Sequence, residues 1–346
     1  MSRSTILASF VALAVLLGSV PLLSTAARSG SEDEAEEARA RLAAAAARSD
    51  LTGENGRPFV LRARIWFWQD ASTSAAGTYT LTWASKGEWR DEIVFRDFRQ
   101  QRGVGADRSW WRRNVAHKPL RIIQLEELLD YPRRLDLADD VKLKAIGQGE
   151  GARETVDECF EAKSSRWTRD IFCLHPDDGV LTLGSYPTGH PARLVASRHE
   201  YADYRPWNGL LVPYRIRFVE ATKPALEIEV AELSALTDPE PGMFAPPDDA
   251  RSTPWCADPT EPERTAKVRP IYPESARKTR GEGTVTLYAV IGTEGQVLDA
   301  AVVRSASPDF DRAALDAVKG WRYRPAMCGD IPVERELSIV VSFGIE

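Results

Sequence analysis

The chain has 346 residues, enough for two domains that each bury a core, with 43% hydrophobic and 28% charged residues. Its formal net charge is -6. There is no basic excess to attract nucleic acid, and no RNP, zinc-finger or helix-turn-helix pattern, so nucleic acid is not an expected partner.

The chain opens with Arg3 and an apolar run from Ile6 to Leu23, broken by Pro21 and followed by Ser24-Thr25-Ala26. A basic start, an apolar run and small residues at a cleavage point form the order of a secretory signal, so residues 1–26 are expected to be a signal peptide. The competing reading is a retained anchor, for which the run is only marginally long. No Cys follows the run to carry a lipid. Residues 27–56, acidic from Ser31 to Glu37 and Ala/Arg-rich from Ala38 to Ala47, could form a solvated helix or a flexible leader, and a leader or spacer is the expectation.

From residue 57 to 236 the period is two. Phe59, Leu61, Ala63, Ile65 and Phe67 alternate with Arg62, Arg64, Trp66 and Trp68, and Tyr79, Leu81 and Trp83 alternate with threonines. Such alternation marks half-buried antiparallel strands. One helix, Leu120 to Tyr131, interrupts them. Leu211–Val219 and Leu226–Leu233 form a hairpin in which Tyr214, Ile216 and Phe218 face Val230, Ile228 and Leu226. The same register sets Arg215 and Arg217 against Glu229 and Glu227, worth about 0.2–1 kcal/mol per opposed pair. The fold class expected here is a strongly curved antiparallel sheet or half-barrel with a helix.

This strand series, with Tyr79–Trp83, Trp89-Arg90-Asp91-Glu92, Tyr201-Ala202-Asp203-Tyr204 and Gly209–Pro213, resembles the LolA-like half-barrels of lipoprotein carriers. The resemblance implies an apolar or acyl ligand held between sheet and helix, with Trp66, Trp68, Trp83 and Trp111 as groove candidates. Large aromatics fill cores more often than they line pockets, so the packing role is the stronger expectation for them.

Residues 237–266 carry Pro239, Pro241, Pro246, Pro247, Pro254, Pro259 and Pro262 among acidic residues. That density resists helix and interior strand and predicts an extended linker. Residues 267–346 then read as an α+β module in the order α-β-β-α-β with a three-stranded antiparallel sheet. Its elements are a helix from Pro273 to Thr279, strands Gly283–Ile291 and Val297–Arg304, a helix Asp309–Lys319 with Phe310, Ala313, Ala314, Ala317 and Val318 at helical spacing, and a last strand Glu334–Phe343.

The four cysteines are Cys159, Cys173, Cys256 and Cys328, in no zinc-ligand spacing, and no metal site or cofactor is expected. An even number in an exported chain implies disulfides. The pairing that keeps each bridge within one domain is Cys159–Cys173 with Cys256–Cys328. The histidines, His117, His175, His190 and His199, form no HExxH, and there is no G-x-S-x-G elbow, P-loop or GxGxxG after a strand. An enzyme is not expected.

Within the last module, Arg269-Pro270-Ile271-Tyr272-Pro273, Ala276-Arg277, Gly281–Val285, Gly295-Gln296-Val297, Asp311-x-Ala313-Ala314-Leu315 and Trp321–Ala326 occur in one order. In that order they resemble the C-terminal domain of TonB energy transducers. The resemblance implies binding rather than catalysis, by pairing of a sheet edge with an extended segment of an outer-membrane receptor or another envelope protein. Carried over by position, the contacts are Arg269, Pro270, Tyr272 and Pro273, and Leu337, Ser338, Val340 and Ser342 on the last strand. Arg269 replaces the family's usual Gln. The apolar run also lacks the family's membrane His, and a β-rich domain stands where a long Pro-rich spacer is usual. The expectation is therefore a periplasmic protein with a TonB-like interaction module, with a carrier of apolar ligands or an inner-membrane-anchored transducer as alternatives.

Overall fold

The computed structural model describes residues 23–53, 56–68, 74–130, 135, 137, 141–150, 156–163, 170–188 and 195–344. The expected signal run falls almost wholly outside the described residues, as does His190. No helix among the described residues is long and apolar enough to cross a membrane.

The N-terminal body is a helix α1 (Leu23–Ser49), strands β1 (Phe59–Trp68), β2 (Ser74–Ser85), β3 (Glu88–Val94), β4 (Arg99–Gly105) and β5 (Arg108–Arg113), a helix α2 (Leu120–Asp130), and strands β6 (Lys142–Glu150), β7 (Val156–Lys163), β8 (Asp170–Leu174), β9 (Leu181–Thr188), β10 (Val195–Trp207), β11 (Leu210–Glu220) and β12 (Lys223–Ala235). These strands and β13 (Arg251–Pro254) form one curved antiparallel sheet in the order β13-β5-β4-β3-β2-β1-β12-β11-β10-β9-β8-β7-β6. Sequential hairpins build both wings outward from β1 and β12. The expected hairpin register holds, with Arg215 opposite Glu229, Ile216 opposite Ile228, Arg217 opposite Glu227 and Phe218 opposite Leu226.

Alternation sets the core face. Phe59, Leu61, Ala63, Ile65 and Phe67 are buried against the helices, whereas Arg62 and Arg64 point outward. Ile122, Leu125 and Leu128 of α2 fill this face. So do Ala38, Leu42 and Ala45 of α1, spaced to form one stripe. The leader expected to be a spacer is thus a core helix. Its stripe is mostly alanine, which brings the helix close to the sheet without a strong hydrophobic signal. Arg39 donates to the Leu137 and Val141 carbonyls (2.6 and 2.8 Å), and Arg41 pairs with Glu158 above the Phe160 ring. Cys159 lies directly across from Cys173 on the outer face, and the two are bonded.

The Pro-rich stretch, expected to be an extended linker, turns at residues 241–244 and 248–249 and is fastened rather than free. Phe244 is buried and its carbonyl accepts from Trp110 Nε1 (2.9 Å). Strand β13 adds to β5, and the Trp255 amide bonds the Asp107 carbonyl. Pro254 is tolerated because β13 is an edge strand.

The C-terminal module contains β14 (Glu263–Ala266), α3 (Glu274–Thr279), β15 (Gly283–Ile291), β16 (Val297–Arg304), α4 (Pro308–Lys319), β17 (Arg322–Arg324), β18 (Ala326–Cys328), β19 (Ile331–Val333) and β20 (Arg335–Phe343). Its main sheet has the order β16-β15-β20. Helix α4 starts at Ser307, whose side chain caps the Phe310 amide, with Pro308 in the first turn. Its Phe310, Ala314 and Val318 pack on Val285, Leu287, Ile339, Val341 and Phe343. Between α4 and β20 the chain contributes to two short ladders, β14–β17 and β18–β19. Cys256–Cys328 bonds the end of the Pro-rich stretch to β18, the second expected bridge.

Candidate partner-binding edge

Strand β20 pairs with β15 alone among the described residues, so its far side is an open sheet edge. Ile339, Val341 and Phe343 point into the module core, and Ser338, Val340 and Ser342 are exposed on the opposite face. Val340 is 54% exposed. Neither charge nor proline guards Leu337–Phe343, and unpaired edge amides and carbonyls recruit another strand unless blocked.

The second expected contact segment is anchored nearby. Trp321 is fully buried and its Nε1 donates to the Val268 carbonyl (2.9 Å), with the Arg264 guanidinium 4.8 Å above its ring. Tyr272 packs edge-on to Phe310 and Phe343 at 5.6 and 6.3 Å, and its hydroxyl donates to the Gly281 carbonyl. Tyr272 therefore brings the leading segment to the end of β20. Arg269 is exposed, Pro270 and Pro273 are half-buried, and Ile271 is 84% exposed. Gly295 holds the β15–β16 turn at φ 78°, and a Cβ there would lie 1.8 Å from the Tyr323 carbonyl oxygen. Gly283 is the first residue of β15. There the constraint is close packing, since a Cβ would meet that of Ala306 at 2.8 Å.

The four tryptophans expected at a groove lie on different faces and wings of the sheet. Trp83 is buried and stacks on Phe59 at 5.8 Å, on the helix side of the sheet. Trp66 and Trp68 alternate with the core residues of β1 and so lie on the other side. Trp111 sits between the guanidinium groups of Arg113 (4.2 Å) and Arg251 (5.3 Å), at the far wing. Leu42, Ile122, Leu125 and Leu128 are buried in the core between sheet and helices.

One cluster escaped sequence reasoning, because its members are up to 223 positions apart. Glu336, the second residue of β20, accepts from Arg113 Nη2 (2.8 Å) and the Tyr288 hydroxyl (2.6 Å), and pairs with Lys118 Nζ (3.0 Å). Tyr288 in turn accepts from Arg113 Nη2 (2.8 Å). Burial pushes the Glu336 carboxyl up. The Lys118 charge and the Arg113 and Tyr288 hydrogen bonds outweigh it and hold the group at about 2. Burial and the Glu336 carboxylate both push the Tyr288 phenol well above its ordinary value. Lys118 also pairs with Glu126 of α2 (2.7 Å), which meets Arg102 (3.2 Å), itself paired with the buried Asp91 (2.8 Å). Charges alternate in sign from inside the N-terminal body to the start of β20. His117 pairs with Asp299 of β16 (2.8 Å), whereas His199 packs edge-on against Phe218 in the N-terminal core, so these two histidines share no site.

Residues 268–345 match the family model described as Gram-negative bacterial TonB protein C-terminal. Protein TonB of Vibrio cholerae is 31% identical over 83 residues, which cover 24% of this chain and 34% of that protein. The chain thus spans about a third of the length of that curated relative. The solution structure of the Pseudomonas aeruginosa TonB C-terminal domain is similar at 30% identity, covering 25% of this chain and 89% of that one, with a TM-score of 0.23. A LolA superfamily protein from Nitrosomonas europaea covers 60% of this chain and 96% of its own at 11% identity and a TM-score of 0.39. The family match and the sequence identity lie in the module that carries the β20 edge, so residues 268–345 are similar to the TonB C-terminal domain.

Proposed function

We propose that this is an exported, periplasmic envelope protein whose C-terminal module binds an extended segment of an outer-membrane or other envelope protein by strand addition to β20. The carrying observation is the open β20 edge, free of charge and proline from Leu337 to Phe343, with Val340 exposed beside it. Main-chain hydrogen bonds supply affinity in this mode and the alternate side chains supply selection. Ser338, Val340 and Ser342 flank the incoming strand on one face, and Tyr272 with Pro273 flanks the far end of β20. The module acts in binding, and no reaction is assigned to it.

The test is photocrosslinking in the native cell with a photoreactive residue at Val340 or Ser342. The expected product is a heterologous adduct with an envelope protein, lost when Val340→Pro distorts the edge in a folded chain. Crosslinks confined to this chain or to a second copy of it refute the reading.

A further inference from the structure

The two bodies have separate hydrophobic cores with no residue in common. What joins them across the sheet face opposite α4 is polar. Arg113, His117 and Lys118, from the end of β5 and the segment before α2, and Glu220, at the end of β11, reach Glu336, Tyr288, Asp299 and Arg304. Among the described residues, the ring contacts across it are His117 edge-on to Tyr288 at 5.8 Å and the Arg113 guanidinium over the Tyr288 ring at 5.5 Å. Polar interfaces between domains of one chain behave like transient complexes and open unless they are large and apolar.

The position of this contact matters more than its strength. It falls on the first residues of β20. Glu336 is gripped by Arg113, Lys118 and Tyr288, and its neighbour Arg335 is paired with Glu261 of the connecting stretch (2.8 Å). Arg335, Glu336 and Leu337 are half-buried, whereas Ser338, Val340 and Ser342 are exposed. Tyr288 carries a phenol on the open face of a small sheet, yet is 2% exposed, because the N-terminal body covers it. An added strand running the length of β20 would pass beside Glu336, on whose side chain the Arg113–Lys118 segment sits.

We propose that the N-terminal body is a reversible cap on the leading end of β20. Closed, it leaves Ser338–Phe343 to a partner strand. Open, it frees the strand from Arg335 onward. The proposal rests on the reading of β20 as the partner edge and adds its regulation. Lys118 shares its charge between Glu336 and Glu126 of α2, so a displacement of α2 on the N-terminal sheet pulls on the cap. A longer partner segment is then selected only by the open form, and its binding and cap opening favour each other.

The experiment uses the full, oxidised chain with no partner present, so it reads the cap independently of strand addition. If Val340 crosslinks nothing, the partner reading fails while the cap can still stand. Hydroxyl-radical footprinting reports the Tyr288 side chain, and hydrogen exchange reports the amides of residues 335–337. Tyr323, buried in the module core, is the internal control. Glu336→Gln is expected to raise Tyr288 labelling about tenfold and to speed exchange at residues 335–337, with Tyr323 unchanged. Arg113→Met, on the other body, is expected to do the same, and wild-type chain in 1 M NaCl to do so more weakly, since buried pairs are screened less. Continued protection of Tyr288 in both variants overturns the proposal. So does labelling of Tyr323 in step with Tyr288, which is unfolding rather than undocking. So does a labelled Tyr288 with unchanged exchange at 335–337, which means the contact does not cover β20.

Discussion

Acid should dissolve the Glu336 cluster, and the size of the effect follows from the structure. The carboxyl is held at about 2, against an ordinary 4.5, by Lys118, Arg113 and Tyr288 acting against burial. Its side chain is 25% exposed, so solvent screening does not erase the interaction. At about 1.4 kcal/mol per pH unit, a depression of that size is worth about 3 kcal/mol. The sign is that of a depressed acid. The stabilisation is complete above pH 4.5 and is lost as pH falls from there toward 2. Glu336→Gln removes the charge with little change in shape. Urea denaturation of wild type and variant, followed by the near-ultraviolet signal of the buried tryptophans, should give a difference of about 3 kcal/mol at pH 7. That difference should shrink below pH 4.5 and vanish near pH 2, where the wild-type carboxyl is itself protonated. A difference near zero at pH 7, or one that does not change with pH, refutes the reasoning.

Further outcomes can be checked on the same protein. Replacing Cys256 and Cys328 by Ser should cost about 4 kcal/mol by the loop-entropy relation, since the bridge closes a 72-residue separation, and denaturation under non-reducing conditions measures it. Leu42→Ala should cost about 2–5 kcal/mol if α1 is a core element, whereas a loss below about 0.5 kcal/mol would return it to a spacer. Gly295→Ala should abolish folding of the C-terminal module, read as loss of dispersed β15 and β16 amide signals, because a Cβ has no room beside the Tyr323 carbonyl. Trp83→Ala should destabilise the N-terminal body by about 3–5 kcal/mol and Trp68→Ala by much less, as thermal melts will show.

What the sequence revealed is what short-range periodicity encodes. The β11–β12 register was readable because opposed Arg–Glu pairs and opposed apolar pairs demand the same alignment. The C-terminal strands Gly283–Ile291 and Val297–Arg304 fall where alternation and the Gly295 turn put them. Both disulfides followed from keeping each bridge local to one body. The core role of α1 was missed because Ala38 and Ala45 look the same buried or exposed, and only packing against the sheet distinguishes them. Strand β13 was missed because proline density signals extended backbone without saying whether that backbone finds a partner. The tryptophans expected at a groove are split between faces, since Trp66 and Trp68 share a strand with Phe67 but not its face. The edge residues Ser338, Val340 and Ser342 were legible as alternating positions. The cluster that flanks them was not, because Arg113, Lys118 and Glu336 carry no local pattern.

The Cys256–Cys328 bridge also decides how the molecule bears load. Tension applied to a strand bound along β20 enters the chain near Phe343 and travels back toward Cys328. There it can leave the main chain through the sulfurs, short-circuiting the β14–β17 ladder and the whole of the β15–β16 hairpin. It emerges at Cys256, two residues from the end of β13, and meets the large sheet through the antiparallel β13–β5 ladder. The weakest series element is then that four-residue ladder, backed by Phe244 beneath Trp110 and by Arg112 on Asp249. A pull should strip β13 from β5 before it unravels the C-terminal module. Reducing the disulfide should move the first rupture into the module itself.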